Sequence, residues 1–267
     1  MSKNLVFMMD VDIKGDGRYA SSRRASYKYS IDSWKKWCDK NDCELFILNE
    51  LLLDNNKMGI CWQRYYLFDI LEGNEIKYNP VLMVDADTIV HPDCPNFFEI
   101  VGDKFGVVQS DGCYEWVNRS IKNYGQYLFP EIELKTWEYF NSGFMVLNKK
   151  HSKFCDEVYK FYHSNRDKLI YAQKKFLVGT DQTPINFLTR KFDIDLKWLP
   201  NAYNLHDPYR KGLLCIKNIN WLFDYVPDKL DDLLNSGWVY HFNAVPQNPM
   251  GRDAGYWMKR TYEELYK

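Results

Sequence analysis

One stretch constrains this chain more than any other: Val81-Leu82-Met83-Val84-Asp85-Ala86-Asp87-Thr88-Ile89-Val90. The apolar residues on either side read as a buried strand and its continuation. Two carboxylates in the middle of such a run are costly unless something neutralises them. At i, i+2 on extended backbone, Asp85 and Asp87 project to the same side. There they can share one hard divalent cation, with water and phosphate oxygens completing its shell. The plainer reading is a strand-end turn in which aspartate acts as a cap.

Asp-x-Asp also occurs as Asp10-Val11-Asp12, after the apolar run Leu5 to Met9, and as Asp193-Ile194-Asp195. Around the last pair Phe192, Ile194, Leu196 and Trp198 alternate, which puts both aspartates on the solvent face of a half-buried strand. Of the three, Asp85 and Asp87 are the pair that calls for a cation. A cation that meets phosphate oxygens leads to nucleotide sugars. Departure of a nucleoside diphosphate builds negative charge, which a metal held by two aspartates stabilises.

The rest of the 267-residue chain reads as α/β. Strands are expected at Leu5–Met9, Leu45–Leu48, Val81–Val84, Phe105–Val108 and Phe144–Leu147. Helices are expected on the stripe Tyr27, Ile31, Trp34, Cys38, over Ile60 to Leu71 with Arg64 as an isolated cation, and from about Lys153 to Tyr162. This alternation implies a central, mostly parallel sheet flanked by helices, with the ligand outside the carboxyl ends of the strands. No repeat or Pro/Gly/Ser linker divides the chain, so one domain over 1–267 is expected.

Lys and Arg number 35 against 36 Asp and Glu, which argues against a nucleic-acid partner that relies on a global positive field. Mean hydropathy is −0.50, and no apolar run approaches the ~18 residues of a membrane span. Leu5 to Met9 is too short for a secretory leader, so a cytoplasmic protein is expected. Seven cysteines, an odd number with no Cys-x-x-Cys, read as buried thiols in a reducing compartment rather than as disulfides or a zinc site. Aromatic residues make up 17% of the chain, enough to exclude disorder. They serve either as core or as platforms for bases and sugar faces. Trp116, Trp137, Trp221 and Trp257 are the stacking candidates.

Four segments then fall in a familiar order. Val84 to Val90 resembles the metal-binding Asp-x-Asp segment of GT-A-fold glycosyltransferases. Phe140-Asn141-Ser142-Gly143-Phe144-Met145-Val146-Leu147-Asn148 resembles the FNSGxMxxN strand of family 8 within that fold. Thr180-Asp181-Gln182-Thr183-Pro184-Ile185-Asn186 is similar to its DQxxxN helix start, and Val239-Tyr240-His241-Phe242-Asn243-Ala244 to its C-terminal HFxG segment. The resemblance spans roughly residues 4 to 250. It implies a GT-A (Rossmann-like) domain with a nucleotide-sugar half over about 1–110 and an acceptor half over about 111–267.

By the same resemblance Asp85, Asp87 and His241 bind the metal, Mn²⁺ in preference to Mg²⁺ because an imidazole joins the carboxylates. Asp10 and Asp12 lie near the base or ribose of the donor, and Asn141, Ser142 and Gly143 line the sugar and acceptor side. Asp181 and Gln182 lie beneath the anomeric carbon. The resemblance implies a UDP-linked donor and retaining transfer, although both stereochemical outcomes occur on this fold; a glycan, a lipid-linked sugar or a protein is the expected acceptor. The chain departs from the pattern at Val245-Pro246-Gln247-Asn248-Pro249, where family 8 has a Lys-Pro-Trp that clamps the diphosphate. Arg252 and Lys259 are the cations nearest to that place. The segment from Arg18 to Asp42, with Tyr29, Trp34 and Trp37, also resembles GT-A galactosyl- and mannosyltransferases.

Each motif residue also has a structural reading. Asp181 would cap a helix whose N3 is Pro184, and His241 would be a satisfied core histidine. Arg64 pairs a carboxylate or reaches donor phosphates, and Arg18, Arg23 and Arg24 form a solvated face or meet the diphosphate. His206, near Asn201 and Asn204, sits in a polar loop open to acceptor. Two other functions compete. A haloacid-dehalogenase-type phosphohydrolase would use Met8-Met9-Asp10-Val11-Asp12, but Lys14 stands where that motif needs threonine or valine. A non-catalytic carbohydrate-binding protein would have no use for a buried aspartate pair.

Overall fold

The protein is described here by a computed structural model covering residues 3–13, 24–214, 230–245 and 252–267. Lys14 to Arg18, Arg23, Cys215, Trp221 and the segment Pro246-Gln247-Asn248-Pro249 lie outside the described residues. β1 (Lys3–Met9), β2 (Cys43–Leu48), β3 (Tyr78–Val84), β5 (Phe105–Gln109), β6 (Phe140–Leu147) and β7 (Leu196–Leu199) form one sheet, in the order β2-β1-β3-β6-β5-β7. β1 runs parallel to β2 and β3, and β5 parallel to β7. β6 is antiparallel to both of its neighbours, which makes the sheet mixed.

That reversal positions the site. In an all-parallel sheet the start of β6 would lie at the edge opposite the end of β3. Because β6 is inverted, its first residues, Phe140 to Gly143, arrive beside Asp85, whose N–H donates to the Gly143 carbonyl at 3.0 Å. A second sheet of β4 (Thr88–Val90), β8 (Leu205–His206) and β9 (Val239–His241), ordered β4-β9-β8, then sets Thr88 opposite His241 and His241 opposite His206.

Strand alternation feeds two cores. Leu5, Phe7, Val81 and Met83 pack with residues of the helices α2 (Ile60–Gln63), α3 (Leu67–Gly73), α5 (Tyr114–Leu128), α6 (Ser152–Phe176) and α7 (Gln182–Lys191). Val6, Met8, Leu82 and Val84 pack on the other face with α1 (Tyr27–Lys40), α4 (Phe97–Val101), α8 (Leu230–Leu234), α9 (Ala254–Leu265) and the small sheet. Most of the aromatic excess is spent here. Trp34 and Trp37 are fully buried, and the Trp37 ring stacks on Phe97 with centroids 4.8 Å apart. The six described cysteines are all free thiols.

Three elements differ from the sequence pattern. The helix expected over Ile60 to Leu71 is split by a 3₁₀ turn, Arg64–Tyr66, where the Arg64 side chain is drawn to carboxylates from two other parts of the fold. The helix expected to end near Tyr162 continues to Phe176 and stops at Leu177 in the left-handed region, φ 52°. Asp193 stands in a turn with φ 49°, not in a strand, because β7 begins at Leu196. Both Asp193 and Asp195 remain exposed.

Candidate active site

The Asp-x-Asp segment is where the two sheets part company. Asp85 leaves β3 and Asp87 enters β4; Thr88 Oγ1 donates back to the Asp85 carbonyl at 2.8 Å, and the Phe242 N–H donates to the Asp87 carbonyl at 2.9 Å. The backbone here is satisfied by its own neighbours, which leaves the two carboxyl groups to face a cavity of about 460 Å³. His241 reaches the same place from β9.

Asp85, Asp87 and His241 bring one ligand atom each to within 4.8 Å of one another. His241 Nε2 lies 3.1 Å from Asp87 Oδ1 and 3.6 Å from Asp85 Oδ2. It makes no aligned hydrogen bond, although the ring is buried. Burial pushes the Asp85 carboxyl above the ordinary carboxylate range; Arg64 and His241 pull it down, while Asp87 and Asp181 add to the rise. Burial works against a charged His241, but Asp87 and Asp85 outweigh it and hold the imidazole above its ordinary value near 6.5. Such a cluster is short of positive charge. Two carboxylate oxygens and an imidazole nitrogen, gathered around one point, fit a divalent cation by count and by chemistry.

Gly143 shows how tightly the cluster is cradled. A β-carbon there would stand 2.4 Å from His241 Cε1 and 2.7 Å from Asp85 Oδ2. Only glycine lets the backbone of β6 pass this close to His241 and Asp85.

Beside this group sits a second one that is already neutral. Arg64, on the 3₁₀ turn, donates to Asp85 Oδ1 at 2.7 Å, to Ser142 Oγ at 3.0 Å, and to Asp181 Oδ2. Tyr65 OH donates to the same Asp181 oxygen at 3.0 Å. Burial alone would disfavour the Arg64 charge; Asp181, Tyr65 and Asp85 hold it firmly protonated. Asp181 occupies the N-cap position of α7 but makes no side-chain cap, since its carboxylate is turned to Arg64 and Tyr65. The capping reading therefore gives way to an ion pair. Gln182 Oε1 accepts from Asn141 Nδ2 at 3.1 Å and from the Ser142 N–H at 3.3 Å. Arg64, Asn141, Ser142, Asp181 and Gln182 all line the cavity.

The segment after β1 contributes differently from the expectation for Asp10 and Asp12. Alternation turns Met9 and Val11 to the cavity, together with Tyr27. Asp10 instead accepts from Arg24 Nε at 2.8 Å, with Asp12 3.7 Å from the same guanidinium. Neither aspartate is a lining residue. Arg24 is therefore paired, and Asp10 is not presented as a nucleophile. His206 is buried beside Asp111 and Asp207, not on an open loop. Arg252 stacks over the Tyr256 ring and Lys259 faces Glu263 at 3.6 Å; neither lines the cavity.

The tryptophans, indistinguishable by sequence, now separate. Trp257 is core and Trp137 is 67% exposed on a 3₁₀ turn away from the cavity. Trp116 is half-buried and forms part of the cavity wall, its ring close enough that a β-carbon on Gly179 would lie 2.7 Å from Cζ2. Tyr65, whose hydroxyl meets Asp181, had no sequence reading, and Asn204, read only as part of a polar loop, bonds both Asn141 and His241. Neither carries a local signal, because each partner is distant in the chain.

Solved structures share this architecture. One is a glycosyltransferase involved in the glycosylation of the major capsid of PBCV-1, which superposes with a TM-score of 0.54 at 7% identity over 98% of each chain. Another is the galactosyltransferase LgtC in complex with donor and acceptor sugar analogues, with a TM-score of 0.50 at 15% identity, covering 98% of this chain and 94% of that one. The fold is GT-A. The sequence matches no protein-family model and no curated protein. Among the described residues, no helix is long and apolar enough to cross a membrane.

Proposed function

We propose that this GT-A protein is a metal-dependent glycosyltransferase, of the family 8 kind, taking a UDP-linked sugar and transferring it with retention to a hydroxyl on a glycan, lipid-linked or protein acceptor. The observation that carries the proposal is the Asp85-Asp87-His241 cluster, whose three ligand atoms lie within 4.8 Å of one another on the wall of a cavity. A phosphohydrolase would need Asp10 in that cavity, and a lectin-like module would need no cation there. All four of the segments that resemble family 8 supply residues that line this one cavity. The match of donor half to about 1–110 and acceptor half to about 111–267 belongs to the same proposal.

Mn²⁺ is the favoured ion, with Mg²⁺ the alternative. When bound at Asp85, Asp87 and His241 it supplies electrophilic stabilisation of the departing diphosphate. The protein's own residues do the rest. Arg64 stands on the cavity wall with its charge shared between Asp85 and Asp181, and so fixes both carboxylates in place. Asp181, neutralised by Arg64 and Tyr65, anchors the start of α7, and Gln182, braced by Asn141 and the Ser142 N–H, presents its amide beneath the sugar. With Gln182 on one face and the leaving diphosphate on the other, the acceptor enters from the side of departure, which retains configuration; the departing phosphate oxygen takes the acceptor proton. Trp116 offers an apolar wall for a sugar ring.

The test is a panel of nucleotide sugars with and without Mn²⁺. Metal-dependent release of UDP, lost in Asp87→Ala, supports the transferase. Hydrolysis of simple phosphate esters abolished by Asp10→Asn, or sugar binding without turnover, would overturn it.

A further inference from the structure

Asn204 is fully buried at the end of a 3₁₀ turn, Asn201–Asn204, and both ends of its amide are used. Nδ2 donates to Asn141 Oδ1 at 3.0 Å, and Oδ1 stands 3.1 Å from His241 Nδ1. The orientation of these groups follows from donors that have no alternative. The Gly143 N–H, a backbone donor, points at Asn141 at 2.8 Å, so the atom it meets is Oδ1. The Ser142 N–H likewise identifies Gln182 Oε1, and Asn141 Nδ2 donates to that same oxygen at 3.1 Å. Asn204 must then offer Nδ2 to Asn141 Oδ1, which leaves its own Oδ1 facing His241. An oxygen there accepts, so His241 Nδ1 carries the proton. In a neutral imidazole the lone pair consequently sits on Nε2, which is the nitrogen turned toward Asp85 and Asp87.

We infer that Asn204 is a positioning residue that sets the tautomer and ring plane of His241 for a divalent cation. The Ser142 and Gly143 backbone amides set the polarity of an amide chain running Gln182–Asn141–Asn204–His241. Metal ligation and the placement of Gln182 are thereby fastened to the same two peptide groups of β6. This inference rests on reading Asp85, Asp87 and His241 as a cation site. It names a residue that touches neither cation nor substrate and acts through the far nitrogen of a ligand.

The experiment measures Mn²⁺ affinity of the full chain by calorimetry and the tautomer of His241 by long-range ¹H–¹⁵N correlation without metal, at alkaline pH. Asn204→Leu removes the acceptor and is expected to weaken Mn²⁺ binding by about 10- to 100-fold and to release the Nδ1–H preference. Asn204→Asp keeps an acceptor toward His241 and is expected to stay within about threefold of the parent with Nδ1–H retained. A residue that only fills space would give the opposite order, because a buried carboxylate harms packing more than leucine does. An unchanged tautomer and affinity in folded Asn204→Leu overturns the inference. Should that variant not fold, Asn204→Asp decides: loss of Nδ1–H with Mn²⁺ affinity intact overturns it, and retention of both supports it. Mn²⁺ binding that survives His241→Ala would instead overturn the cation-site reading beneath it.

Discussion

Asp10-Val11-Asp12 and Asp85-Ala86-Asp87 follow adjacent parallel strands with identical spacing, yet their carboxylates meet different countercharges. The first pair is served by Arg24, a permanent cation supplied by the chain itself. The second faces His241, whose charge is conditional, and shares Arg64 with Asp181. Exposure does not separate them: Asp12 is 59% and Asp10 18% open to water, against 39% for Asp85 and 11% for Asp87. The first pair is balanced by an arginine of its own. The second gathers two carboxylates and an imidazole around one point, the arrangement that fits a divalent cation rather than an aspartate-rich turn.

Four predictions probe the contrast, and a fifth serves as its control. Asp87→Ala should lower Mn²⁺-dependent UDP release by about 10³-fold or more, against about tenfold or less for Asp10→Ala, measured as initial rates on the same donor. Equal losses would erase the distinction. Arg64→Met should cost about 3–5 kcal/mol in urea unfolding, because it strands the buried Asp181. Arg24→Met, at a part-exposed pair, should cost about 1 kcal/mol or less. Gly143→Ala should weaken Mn²⁺ binding about tenfold while leaving the fold intact, since the added methyl collides with His241 and Asp85 rather than with backbone.

The pH dependence sharpens the same comparison. His241 is held above its ordinary 6.5 by Asp87 and Asp85 against the pull of burial. A raised imidazolium stabilises the metal-free fold below pH 6.5, and that contribution is lost as pH climbs through the folded-state value. Mn²⁺ competes with the same proton on Nε2, so its affinity should move the other way and rise over that window. Calorimetric titrations across neutral pH check both signs, and His241→Ala should flatten them. The smallest effect is expected at the third Asp-x-Asp. Asp195→Ala, which removes an exposed contact with Lys104, should change stability by less than about 0.5 kcal/mol and leave metal binding untouched.

How much of this was legible beforehand depended on the range of the signal. The apolar runs gave the positions of β1, β2, β3 and β5, and the interrupted run marked Asp85 and Asp87, because burial of a strand is written in consecutive residues. His241 was reachable only through motif order. The helix break at Arg64 was invisible, since its cause is a pair of carboxylates 21 and 117 residues away. Asn204 looked like a residue of a polar loop because its partners lie 37 and 63 residues off.

By itself the sequence determined an α/β chain whose third strand ends in two carboxylates that something must neutralise. Tertiary structure decided what neutralises them. The inversion of β6 brings Gly143 against Asp85, the pairing of β9 with β4 brings His241 to Asp87, and only then does one aspartate pair become a site while the others become surface or salt bridge. Periodicity reports which side of a strand is buried; which charges face each other across the fold is set by strand order and direction, which no local pattern contains.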